Sequence, residues 1–103
     1  MLARIWKGTT KPAMADRYVS HLQESVIPEL GAIPGFRGIY VLRRAEAGAD
    51  EFLVLTLWES LEAVERFSGP DAERAVVPPK AQALLASFEI RATHFHVALA
   101  HHV

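Results

Sequence analysis

The chain has 103 residues, half of them hydrophobic and 22% charged, which suits one globular domain over residues 1–103 with a single small core. Eleven basic residues against twelve acidic ones leave a formal net charge of −1, so there is no electrostatic case for nucleic acid or an anionic membrane as partner. Cysteine is absent, which removes disulfides, thiolate metal sites and a cysteine nucleophile together, and makes a reducing cytoplasm the expected location.

Leu2 to Lys7 reads as a first strand closed by Gly8, and Arg4, Lys7 and Lys11 interrupt any signal-peptide pattern. Thr10 is placed to cap a helix with Pro12 in its first turn. Along that helix Ala15, Val19, Leu22, Val26 and Leu30 form an apolar stripe, and Arg17, Ser20, His21 and Glu24 form the solvated side. Pro28 ends or kinks the helix and Gly31 stops it. Pro34-Gly35 turns the chain into a second strand over Phe36–Arg44, and Ala47-Gly48-Ala49-Asp50 makes a hairpin into a third.

The third strand, Phe52-Leu53-Val54-Leu55-Thr56-Leu57-Trp58, is apolar at both parities. A strand of that kind must be covered on both faces. The chain has helices for one cover, which predicts that a second copy of it supplies the other and that a cavity lies between two sheets. Ser60 caps a short helix expected to bury Leu61, Val64 and Phe67, ended by Gly69-Pro70. Asp71 to Ala86 is irregular, with single helical turns on each side of Pro78-Pro79. The last strand spans Phe88–Leu99, and its apolar parity switches between Ile90 and Phe95, which predicts a bulge or bend near Arg91 to Thr93. No apolar stretch reaches membrane-spanning length, so no membrane partner is expected.

The order β-α-β-β-α-β is the ferredoxin-like, α+β arrangement with an antiparallel sheet whose first and third strands are central. Strand alternation then sorts side chains. Ala3, Ile5, Ile39, Val41, Leu53, Leu55 and Leu57 suit the layer under the helices. The open face would collect Arg4, Trp6, Tyr40, Thr56, Trp58, His94 and His96. That set is an aromatic-walled cavity with a few polar groups, the usual make-up of a small-molecule site. Trp6, Tyr40, Thr56 and Trp58 are the candidate substrate-binding residues. The aromatic residues would equally serve as filling for a dimer interface, and Arg4 as a rim residue or an ion-pair partner across it. His94 and His96 are candidate bases, since imidazole transfers protons near neutral pH. The pair lacks a third ligand, so no metal site is expected. Ser20, Ser25, Ser60, Ser68 and Ser87 sit in helix, cap or linker contexts without a glycine-flanked nucleophile elbow.

Several segments together resemble the antibiotic biosynthesis monooxygenase superfamily of dimeric α+β barrels. They are Arg4-Ile5-Trp6-Lys7-Gly8-Thr9, Gly35-Phe36-Arg37-Gly38-Ile39-Tyr40 with Val41-Leu42-Arg43-Arg44, Phe52 through Ser60 leading into Phe67, and Thr93-His94-Phe95-His96-Val97. The resemblance implies a homodimer enclosing a cavity for a small hydrophobic or aromatic molecule. Haem-degrading members carry an Asn on the first strand, a Trp on the second helix and a His after it. Here the Trp position falls at Phe67, the His position near Val77, and the chain has no Asn, so no haem or other cofactor is expected. The implied activity is a cofactor-independent monooxygenation of a small aromatic or polyketide-type substrate. In it His94 or His96 removes a proton and Arg4 stabilises the developing oxyanion. The alternatives are a proton-transfer isomerase on the same fold and a non-catalytic barrel that binds a small hydrophobic ligand.

Overall fold

Five strands form one antiparallel sheet in this computed structural model, which describes residues 1–103. They are β1 (Leu2–Thr10), β2 (Phe36–Glu46), β3 (Ala49–Trp58), β4 (Ser87–Phe88) and β5 (Thr93–His96). The order is β2-β3-β1, with β4 and β5 both on the far edge of β1. β1 and β3 are therefore central, as the ferredoxin-like order requires. The last strand is broken where its parity switches. β4 pairs with Gly8 and Thr9, and β5 with Leu2 through Ile5. Between them the chain leaves the ladder and takes up new partners: the Ala75 N–H donates to the Ile90 carbonyl at 3.0 Å and the Ala92 N–H to that of Glu73 at 2.7 Å. This splice pins the irregular 71–77 segment against the sheet edge.

The helical cover begins with a 3-10 turn at Pro12–Met14 and continues as α1 (Ala15–His21), a π-helical turn (Leu22–Val26) and α2 (Ile27–Gly31). Pro28 does not end this run, which continues to Gly31. Its missing N–H is accommodated by the widened turn ahead of it, where the ladder slips by one residue. The predicted cap does not form: Thr10 is a fully buried end of β1, and Lys11 precedes the 3-10 turn without a side-chain cap. Ser60 does cap α3 (Leu61–Ser68), its Oγ accepting the Ala63 N–H at 3.2 Å. That helix buries Ala63, Val64 and Ser68, leaving Leu61 half-exposed. α4 (Pro79–Leu84) follows Pro78. At the entry to β2, Gly35 has φ +94°, and a Cβ there would lie 2.5 Å from that of Ala63, so both the turn and the α3 packing require glycine. No helix is long and apolar enough to cross a membrane.

The two sheet faces are the reverse of the sequence expectation on the central strands. Leu2, Arg4 and Trp6 of β1 and Phe52, Thr56 and Trp58 of β3 are buried beneath the helices. Register places Ala3, Ile5 and Lys7 beside Leu57, Leu55 and Leu53 on the opposite, open face. Tyr40 and Leu42 join them there, aligned with Leu55 and Leu53, as does Phe95 beside Ala3. Periodicity carries no parity signal in a strand apolar on both sides. Side-chain size decides it. The helix layer has room for the two tryptophans and Phe52, the largest side chains on these strands, while the leucines remain outside. Ile39 and Val41 do lie on the helix face, aligned with Thr56 and Val54.

Candidate functional site

Between the helix face of the sheet and its cover lies a narrow slot of about 60 Å³. Arg4 and Trp6 come from β1, Val54 and Thr56 from β3, and Tyr18 and His21 from α1; Leu22 and Val26 belong to the π turn and Phe67 to α3. Val76 and Val77 add to the wall. His21, Val26 and Pro78 also line an outer cleft with Ser25, Glu29, Pro79 and Lys80, so these three side chains form the doorway. The volume holds a few waters and falls short of the ~300 Å³ at which drug-sized sites begin. A fused-ring ligand therefore enters only if the doorway widens.

The walls are held by aromatic packing. Trp58 is fully buried, stacks on Phe67 at 5.8 Å, meets Phe36 edge-on at 5.3 Å and donates its indole N–H to the Thr56 hydroxyl at 2.8 Å. Trp6 donates to the Glu89 carbonyl at 2.7 Å. Trp58 does not itself line the slot; it supports Thr56 and Phe67, which do.

Arg4 is the polar feature of the slot. It is 5% exposed and donates from Nη2 to the Arg74 carbonyl at 2.6 Å, and its guanidinium lies 5.4 Å from the Phe67 ring centre. Its Nε has no partner. Burial, and then the neighbouring Arg74 guanidinium, push its pKa down to about 10, so it remains a cation at neutral pH. Arg74 is itself held by the Ser68 carbonyl at 2.9 and 3.1 Å. No Asp or Glu stands on the slot wall.

The predicted residues separate. Arg4, Trp6, Thr56, Trp58, His94 and His96 do share a sheet face, but it is the covered one. Tyr40 lies on the open face, 56% exposed, where alternation placed it and apart from the other six. His96 is exposed beside Leu2 in a surface cleft with Asp71 and Glu73. His94 aligns with Arg4 and is partly buried, yet it opens onto the same cleft rather than the slot. The imidazole that reaches the slot is His21, placed on the solvated side by the sequence pattern. Tyr18, 2% exposed and edge-on to Phe52 at 4.9 Å, takes the buried position expected of Val19, which is 37% exposed. That choice turns the buried stripe toward residues 18 and 21 and carries His21, one turn on from Tyr18, to the wall. The His21 Nε2 is buried without a partner.

Burial, and then the Arg4 charge, hold the His94 pKa below its usual 6.5, with Glu73 opposing weakly. As pH falls through 6.5 the unfolded chain takes up a proton that the folded chain resists, so stability declines on acidification. Melting temperature is expected to drop between pH 7 and pH 5.5, and to drop less in His94→Gln; equal slopes in the two proteins would contradict this.

A porphyrin does not fit these residues. Val77, at the position where the haem-degrading members carry a histidine, is an aliphatic wall residue with no atom to ligate a haem iron.

A family model described as antibiotic biosynthesis monooxygenase matches residues 1–79. Among solved structures, SnoaB, a cofactor-independent oxygenase from Streptomyces nogalater, is similar at TM-score 0.67 and 17% identity, over 96% of this chain and 94% of that one. The haem degrader MhuD from Mycobacterium tuberculosis, with two haems in its active site, gives 0.62 and 21%, over 99% and 100%. A Streptomyces coelicolor monooxygenase in complex with nanaomycin D gives 0.63 and 17%, over 99% and 91%. At these identities the likeness is one of fold. No curated protein sequence matches the chain.

Proposed function

This chain belongs to the antibiotic biosynthesis monooxygenase family, and we propose that it uses the slot to oxygenate a small, planar, electron-rich molecule without a prosthetic group. The observation that carries this reading is the convergence of a buried cation, Arg4, and an unpartnered imidazole, His21, on an apolar cavity free of carboxylates. In the proposed sequence His21 removes a proton from an activated CH₂ or phenol, and Arg4 balances the negative charge left behind. The carbanion donates its electron pair to O₂, forming a C–O bond, and the resulting peroxide takes a proton from the His21 imidazolium. Loss of water, with O–O cleavage and departure of the second C–H proton, leaves a carbonyl. One CH₂ and one O₂ become one C=O and one H₂O. Trp6, Val54 and Phe67 hold the ring. SnoaB, described as a cofactor-independent oxygenase, supports this by analogy of fold.

His94, beside Arg4 but outside the slot, is read as tuning the guanidinium's surroundings rather than as the base. The reading includes a homodimer built sheet against sheet. Ile5, Tyr40, Leu42, Leu55 and Phe95 make an apolar open face, with Tyr40 56%, Leu42 49% and Phe95 55% exposed in the single chain. Leaving such a face wet forfeits ~25 cal/mol per Å².

An oxygen electrode with a quinol or anthrone as substrate tests the reaction. His21→Ala is expected to lower kcat about 10²- to 10⁴-fold, the usual contribution of a general base, with ligand affinity unchanged. Aromatic ligand taken up by both proteins with no oxygen consumed would make the protein a binding barrel, and proton exchange without oxygen uptake would make it an isomerase.

A further inference from the structure

We propose that the slot's ligand carries a carboxylate that is seated on Arg4 before any chemistry occurs. This rests on the slot being the ligand site and adds the ligand's charge and orientation. An arginine only 5% exposed is costly to bury unless something compensates its charge. Within the chain no anion does; the Phe67 ring face and one backbone carbonyl are its partners. None of the ion pairs includes Arg4. Its one hydrogen bond goes to a neutral backbone carbonyl, its Nε–H points to no acceptor, and the nearest charged neighbour, Arg74, adds positive charge.

The missing partner must be an anion, and it must arrive with the ligand. A carboxylate suits the planar guanidinium fork, because its two oxygens accept parallel N–H bonds. A simple phenol, with a pKa near 10, brings no charge at neutral pH. The remaining walls, Trp6, Val54, Phe67, Val76 and Val77, offer only apolar surface to the rest of the molecule. Arg4 and His21 both line the slot, so a carboxylate fixed on Arg4 sets how the ring is presented to His21. A carboxylate on the floor thus decides which carbon meets the base.

Titration calorimetry with benzoate and benzamide, a pair alike in shape and unlike in charge, tests this on the full chain at pH 7. Benzoate is expected to bind about tenfold to a hundredfold more tightly than benzamide, the scale of hydrogen bonds to a charged group. Arg4→Gln should close that gap and Arg4→Lys should retain part of it. Thermal melts establish that each variant is folded, and if Arg4→Gln is not, the wild-type pair and Arg4→Lys still decide. Equal affinity of the two probes, binding of neither, or a gap that survives in folded Arg4→Gln overturns the proposal. Benzoate held through Arg4 by a protein that consumes no oxygen with any quinol would sink the oxygenase reading and leave this one standing.

Discussion

Replacing Trp58 with alanine is expected to cost about 3–5 kcal/mol of folding stability, the range for deleting a fully buried large aromatic side chain. The loss has three sources. The cavity left behind is flanked by Phe36 and Phe67, which lose their ring partner. The Thr56 hydroxyl loses the indole donor at 2.8 Å. Leu2, Leu30, Ala63 and Val64, the buried cluster around it, lose a common contact. A domain of this size has a total stability of roughly 5–10 kcal/mol, so Trp58→Ala should be largely unfolded in modest urea. Trp58→Phe should recover much of the packing but not the hydrogen bond. Urea titration followed by circular dichroism measures both, and a Trp58→Ala midpoint within experimental error of wild type would show that this cluster is not the core.

Leu55→Asp is expected to yield a folded monomer. Leu55 sits mid-sheet on the open face, aligned with Ile5 on one side and Tyr40 on the other. It faces away from the buried clusters that hold the helices, so a carboxylate there stays hydrated in the single chain. In a sheet-to-sheet dimer the same carboxylate would be desolvated in both copies without a partner, weakening association by about a hundredfold or more. Sedimentation should show wild type as a dimer and Leu55→Asp as a monomer at micromolar concentration. A wild-type monomer would overturn the dimer. A variant that remains dimeric would move the interface elsewhere.

How much of the site was legible differs from residue to residue. Arg4, Trp6 and Thr56 were grouped together, with His94 beside Arg4, because register on neighbouring strands is a two-residue rule, but they were assigned to the open face and lie on the covered one. Tyr40 does lie on the open face where alternation placed it, with Ile39 and Val41 on the helix side; it parts from Arg4, Trp6 and Thr56 because these three lie on the covered face. His21 was missed because Tyr18 and Val19 are both apolar and adjacent, so helical periodicity alone leaves the stripe's centre uncertain by one position. The presence of Pro28 was visible, but not that the helix would answer it with a π turn lining the cavity.

The chain's own order of strand and helix signals determined the α+β topology, the central places of β1 and β3, the Ser60 cap and the break in the last strand. These are local or nearest-neighbour matters: turn residues, alternation, capping chemistry and the parity of a single run. Tertiary structure decided which face of a doubly apolar sheet the helices cover, and hence that Arg4, Trp6 and Thr56 line a slot within one chain. That choice rests on volume and on hydrogen-bond partners far along the chain, such as the Glu89 carbonyl for Trp6 and the Arg74 carbonyl for Arg4. Hydrophobic pattern records that a residue is apolar, while the space available to it and the acceptor its N–H will meet exist only once distant segments are packed together.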